Sequence, residues 1–580
     1  MKATMTRKTG TPASLLALLL AAGASCAAPP PAPSGAPALA VLLAPLAPDA
    51  SGRVPAVDVT VTVTGPAVPA GQPVLTMPLV TSNVDTVAKT LAELSAQDAQ
   101  GPLTLSAVDD SGANAIRHWS ANRATAGKVV VHYRAPVPQA LATRGAAPPL
   151  ELRSDTGAFS GQGATFLMLP AANLPWKLSV AWDLGQLQPG AAGVSTFGPG
   201  NVVPAATGAD QMGASYFMAG NVHVYPATPP TAGFFAAWYG KPPFDLQQLM
   251  VSEQKLYSFY EKFFSRPSTA PYAVFMRENL VNAGGGVSLG QHAFVTTFGP
   301  KSDLDQVKIT LAHEMLHTFA GHIDGDLESS WYGEGLAVYY ARLLAWRAGQ
   351  ITPGQFLADL NETAGRYYTD AMIRTPNSEV AANFWLDTRI RVLPYDRGSM
   401  YFAVLVGQLR AASHGKVTLD TLLLAMLERE HRAMPVDLQA WRALVQQHLG
   451  APGVAQLDAM LGGAVMLPEP GGFGPCFTRV TKPMRRYLLG FEPAVLVEPQ
   501  RIVRGLVTGS AAERAGVRNG DAITKPVPQD MIQGQQDATL TLELLRDGQP
   551  LTVTYLPRAE TVAAYQWIRT GSLPDSACVY

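Results

Sequence analysis

Cysteine is nearly missing from the 580 residues: there are three, Cys26, Cys476 and Cys578. None has the close spacing of a zinc ribbon or a redox CxxC pair, so no cysteine-based metal site or disulfide-exchange chemistry is offered. Charge is sparse too, at 15% of residues, with a formal net charge of -1 and no extended run of Lys or Arg. A nucleic-acid partner needs a basic footprint, and none is present. After the first two dozen residues no apolar run reaches the roughly 18 residues of a spanning helix. Membrane contact is thereby limited to the amino terminus. Internal repeats of about 20 to 50 residues are also lacking, which sets solenoids and propellers aside.

What is present is an apolar composition of 47% with 53 Gly and 47 Pro, that of a turn-rich globular protein able to bury several cores. Residues 1–26 read as an export signal: Lys2, Arg7 and Lys8 precede the apolar "LLALLLAA" and the small residues "GAS" before Cys26. The cysteine in this setting resembles a bacterial lipoprotein processing site, although Gly23 stands where such sites usually carry Leu. Cleavage by an ordinary signal peptidase near Ala27 is the alternative. Residues 27–50 are rich in Pro and Ala and suit an extended tether. From 51 to 230, segments such as "VDVTVTVTG", "KVVVHYRAP" and "WKLSVAWDL" alternate with the period of strands. From 231 to 470 the period turns helical, and 478–560 returns to short strands before a tail, 561–580.

One helical segment carries chemistry. In "SDLDQVKITLAHEMLHTFAG", Ser302 or Asp303 can cap the start and Gly321 can end the helix. His313 and His317 then fall four apart on one face, where two imidazoles reach a single ion, with Glu314 beside them to take a proton from the attacking water. Composition alone gives roughly 0.006 such HExxH matches in a chain of this make-up. The geometry suits zinc, which needs a third protein ligand and an open fourth position. His322 is one candidate, but it lies five residues after His317 rather than the six of the metzincin pattern. Glu334 is the other: it begins a second helix-like segment, "EGLAVYYARLLAWRAG", and a helix pair would bring its carboxylate beside the histidines. His322, Asp324, Asp326 and Glu328 otherwise read as a solvated loop, with binding of a second ion such as calcium by one of them as the alternative.

"HEMLH", followed by "WYGEGLAVYYARLLAWRAGQITPGQFL", "LPYDRGSMYFAVLVGQLR" and "LDTLLLAMLERE", resembles the glycyl aminopeptidase family of gluzincin metallopeptidases with a PDZ domain. The resemblance implies a multidomain chain: a β-rich N-terminal domain, a mainly α thermolysin-like zinc peptidase domain, and a C-terminal PDZ domain. It implies one zinc ion on His313, His317 and Glu334, Glu314 as general base and acid, and Tyr395 as the donor to the developing oxyanion. The alternative for Tyr395 is a helix-start tyrosine packed on the core. Peptides would be the substrates, at the periplasm or outer membrane of a Gram-negative bacterium, with the membrane met only through a lipid on Cys26.

Departures from the family pattern also count. Where the family has a Gly-Gly-x-Glu-His segment lining the cleft, this chain reads "GGGVSLGQHAFVTT", which places Gly285, Gly286, Gln291 and His292 at the substrate wall with Gln291 near the acid's position. A protonated amine is held best by a carboxylate, so Gln291 implies weak preference for free amino termini and partial endopeptidase or oligopeptidase action. Strict aminopeptidase action remains the alternative, with Glu278 or another acid folded into the amine site. Near the carboxy terminus "YLLGF" resembles a carboxylate-binding loop, so Leu489, Gly490 and Phe491 are candidates to hold a peptide carboxy-terminus; the other reading of this domain is a packing partner. Cys476 and Cys578 flank it, as a disulfide in an exported protein or as two buried thiols. A second class of function stays open: a decayed peptidase serving as a peptide-binding scaffold.

Overall fold

A computed structural model describes residues 35–112, 115–139, 147–205, 207–281, 283–290, 292–325, 327–527, 530–571 and 573–578. The export signal, Cys26, Gln291 and Asp326 lie outside these residues.

The strand alternation read from the sequence forms a six-stranded sheet in the order Lys177–Trp182, Ala38–Pro45, Ala56–Thr64, Val129–Pro136, Ala92–Asp98, Gly101–Leu103. Val57, Val59, Val61 and Val63 point to one face and are buried, against Leu75, Met77 and Trp119 of a four-stranded sheet. Residues 27–34 of the assigned tether lie outside the described residues, and the assignment needs correction from residue 38 on. Residues 38–45 are an inner strand, antiparallel to 56–64 and parallel to 177–182, with Leu39, Val41 and Leu43 buried. Ala and Pro composition pointed to a linker, but Leu and Val at every second position have two neighbouring strands on which to bury.

The second unit starts earlier than residue 231. Its five-stranded sheet runs His223–Tyr225, Gly233–Trp238, Pro271–Glu278, Ala293–Phe298, Gly286–Ser288. The three inner strands are parallel and Gly286–Ser288 is an antiparallel edge. "FFAAW", "YAVFM" and "FVTTF" are buried throughout because both faces are covered. Phe234, Val274 and Phe294 face the helices, whereas Phe235, Phe275 and Val295 meet Tyr216 and Met218 of the preceding β-rich region. Helices Leu246–Phe263, Leu304–Ala320, Ser330–Arg347, Pro353–Tyr368 and Leu393–Ser413 build the other layer. No described helix is long and apolar enough to cross a membrane.

The carboxy-terminal region holds a two-stranded sheet, Phe477–Tyr487 with Arg558–Arg569, and a three-stranded sheet, Ala522–Ile523, Leu540–Arg546 and Gln549–Tyr555. After Phe491 the chain forms a short 3-10 helix, Pro493–Leu496. Leu489 is buried and its carbonyl accepts from Tyr555 Oη at 2.7 Å, while the Gly490 carbonyl accepts from Val507 N–H at 2.8 Å. The carboxylate reading concerns the N–H groups of Leu489, Gly490 and Phe491, which these two carbonyl contacts leave untouched. The segment assigned as a tail also belongs to the fold, since Arg558–Arg569 pairs along Phe477–Tyr487. Phe477 and Trp567 enter the same apolar cluster as the second unit's helices, with Phe477 stacked on Phe356 at 5.6 Å.

Cys476 and Cys578, both buried, form a disulfide across 102 residues of chain. Replacing both by Ala is expected to lower stability by about 2–4 kcal/mol, because the unfolded chain regains the entropy of that loop. Urea unfolding of wild type and the double variant measures it; equal midpoints would show that docking alone holds the domain.

Candidate metal centre

The site is assembled from two helices and an edge strand. Asp303 caps the first helix, its Oδ1 accepting from the N–H groups of Asp305 and Gln306 at 3.0 and 3.1 Å, and Gly321 at φ 68° ends it. Four-residue spacing then puts His313 and His317 side by side, with their Nε2 atoms 3.2 Å apart. The second helix begins at Ser330, earlier than the sequence suggested, so Glu334 lies inside its second turn. Glu334 Oε2 stands 3.2 Å from His313 Nε2 and 3.3 Å from His317 Nε2.

These separations test the fit of a metal. Four ligands at about 2.0–2.1 Å in a tetrahedron stand about 3.3 Å from one another, which matches the triangle made by the three side chains. Glu334 Oε2 is buried and, although close to both rings, has no hydrogen bond of acceptable geometry. Lone pairs that converge on a common point rather than on each other have that arrangement. Two imidazoles and one carboxylate are a zinc-type donor set. Among the described residues this is the one such cluster of His, Cys, Asp and Glu.

The electrostatics agree. Burial pushes Glu334 up, but the two histidines outweigh it and hold the carboxyl well below its ordinary range. Burial draws His317 down, and the Glu334 carboxylate beside it reverses this, so its pKa is raised. Burial raises the pKa of Glu314, partly offset by the neighbouring histidines. A carboxylate desolvated in this way takes up a proton more readily than one in water.

Close backbone approach sets the rest of the geometry. A Cβ on Gly286 would stand 2.6 Å from Glu314 Oε1, so the edge strand passes directly over the carboxylate only because residue 286 is Gly. A Cβ on Gly335 would stand 2.6 Å from the Gly398 Cα, so the helices bearing Glu334 and Tyr395 cross at backbone contact. Tyr395 lies in the first turn of the second of these, its ring stacked on His313 with centroids 6.0 Å apart. Of the other substrate-wall residues, the Gly285 carbonyl accepts from Thr297 N–H at 3.0 Å, and His292 is exposed at the turn of the hairpin. His322 stacks on His317 at 5.4 Å without joining the ligand set, and Asp324 and Glu328 are exposed. Tyr339 and Tyr340 are buried, and Tyr340 donates to Asp420. Sequence reasoning missed the Gly335 and Gly398 crossing, although each glycine lies within three residues of a site side chain.

The chain matches no protein-family profile and no curated protein. Among solved structures it is similar to an aminopeptidase N family protein from Idiomarina loihiensis, with TM-score 0.66 and 15% identity over 93% of this chain and 99% of that one. An M1 zinc metallopeptidase from Deinococcus radiodurans aligns with TM-score 0.44 and 14% identity over 74% of this chain and 95% of that one. Native yeast LTA4 hydrolase aligns with TM-score 0.43 and 12% identity over 75% of this chain and 69% of that one. At such identity the first likeness shows the fold: β-rich amino-terminal and helical carboxy-terminal regions in the arrangement of that aminopeptidase N family protein.

Proposed function

We propose that the chain is a zinc-dependent peptidase of the gluzincin type that hydrolyses exported peptides. The observation that carries this is the convergence of His313, His317 and Glu334 at zinc-ligand separations, with Glu314 beside them. Zinc, when bound, supplies Lewis-acid polarisation of the scissile carbonyl and a water that ionises near neutral pH. Glu314 takes the proton from the attacking water and returns it to the leaving amine. Tyr395 donates a hydrogen bond to the carbonyl oxygen as negative charge develops. Gly285 and Gly286 form an uncharged wall over Glu314. Export fits the Cys476–Cys578 disulfide, which persists in oxidising compartments. We place the protein in the periplasm or, through a lipid on Cys26, at the outer membrane.

The family resemblance sets Gln291 where relatives carry the amine-binding acid, and discrimination for free amino termini is then weak. A chelator should abolish hydrolysis of a peptide mixture, and added zinc should restore it. Free and amino-terminally acetylated versions of the same peptides are expected to be cleaved within about tenfold of each other, roughly 1.4 kcal/mol, and Gln291→Glu should favour the free form. Chelator-insensitive cleavage would end the metallopeptidase reading. Cleavage of only the free form by wild type would restore a strict aminopeptidase.

A further inference from the structure

The helix that presents Tyr395 starts without a side-chain cap, since Val392 before it is already helical. Helix Thr388–Arg391, capped by Asp387, runs straight into that turn, and the three residues after Tyr395 each add a restraint. Asp396, with no exposure, accepts two parallel hydrogen bonds from Arg366, at 2.8 Å from Nε and 2.6 Å from Nη2. Arg397, also fully buried, donates to the Thr375 carbonyl at 2.6 Å and to Asn377. Gly398 meets Gly335 at backbone contact.

The Arg366 fork lies on helix Pro353–Tyr368, which the carboxy-terminal domain grips one turn earlier. Asn361 Nδ2 donates to the Trp567 carbonyl at 2.8 Å, its Oδ1 accepts from Trp567 N–H at 2.7 Å, and its carbonyl accepts from Gln566 Nε2 at 3.0 Å. A buried ion pair adds little stability over an apolar pair of the same size. A bidentate fork does fix orientation, which a point charge or apolar contact does not.

We propose that Arg366 and Asp396 are positioning residues for Tyr395, and that the carboxy-terminal domain acts on the reaction as a brace, holding the Arg366 helix through Asn361. The inference rests on the proposed role of Tyr395. It gives the third domain a function in catalysis. Tyr395 must present its hydroxyl to charge that exists only in the transition state, so a small tilt of this first turn lowers turnover while leaving substrate binding and metal in place.

The test is a double-mutant cycle on full-length protein, with kcat, KM, bound zinc and unfolding midpoint measured for each variant. Asp396→Asn is expected to lower kcat about tenfold with KM within about twofold and zinc retained. In a Tyr395→Phe background the same substitution should change kcat by less than about twofold, because the group it positions is gone. Arg366→Lys, which keeps the charge and loses the fork, should show the same pattern and carries the cycle if Asp396→Asn fails to fold. Asn361→Ala should lower kcat by a smaller factor, again only when Tyr395 is present. An equal loss from Asp396→Asn or Arg366→Lys with and without Tyr395, or no loss in either, would overturn the inference while leaving the peptidase reading intact. An inactive wild type, or full activity in Tyr395→Phe, would refute the catalytic reading itself and the inference with it.

Discussion

Glu314→Gln is expected to retain about one zinc per chain and to lose kcat by about 10²–10⁴-fold, the usual contribution of a positioned base. Glutamine has the shape of glutamate, so the close fit beneath Gly286 survives and the two histidines keep their places. What disappears is the ability to accept a proton. The substitution is sharp here because burial has raised the proton affinity of Glu314, and a neutral amide in that desolvated position has no counterpart to the function. Metal analysis alongside peptide turnover gives the result. Full turnover in Glu314→Gln would remove the general-base assignment.

Glu334→Ala is expected to do the reverse and empty the site. The two remaining imidazoles leave zinc one protein ligand short of the three that would hold it, and affinity should fall by more than the roughly hundredfold that loss of an outer-shell partner costs. Alanine is the best helix former, and position 334 lies within a helix, so the fold should persist. Loss of metal would then be local, visible as low zinc content with an unchanged far-ultraviolet dichroism spectrum. Retention of both zinc and activity would end the assignment of Glu334 as a ligand.

Most of the site's chemistry was legible because it is local. Helix periodicity, the Asp303 cap and the Gly321 stop place His313, Glu314 and His317 within one turn of each other, so adjacency in sequence becomes adjacency in space. Glu334 was one inference further away, since it required a second helix to pack on the first. Other features could not be read at all. Residues 38–45 looked like tether because their Pro and Ala content is local, whereas the strands that bury Leu39, Val41 and Leu43 are 56–64 and 177–182.

What the sequence determined by itself is therefore the helix that carries His313, Glu314 and His317 and the donor chemistry of the candidate site, because period, caps and i,i+4 spacing act within a few residues. What only the tertiary structure decided is how close those elements come. Gly286 on Glu314, Gly335 against Gly398, and the Arg366 fork on Asp396 join segments tens of residues apart. Packing at van der Waals contact depends on the shape of both partners together, and a pattern along one segment carries no record of the surface it will meet.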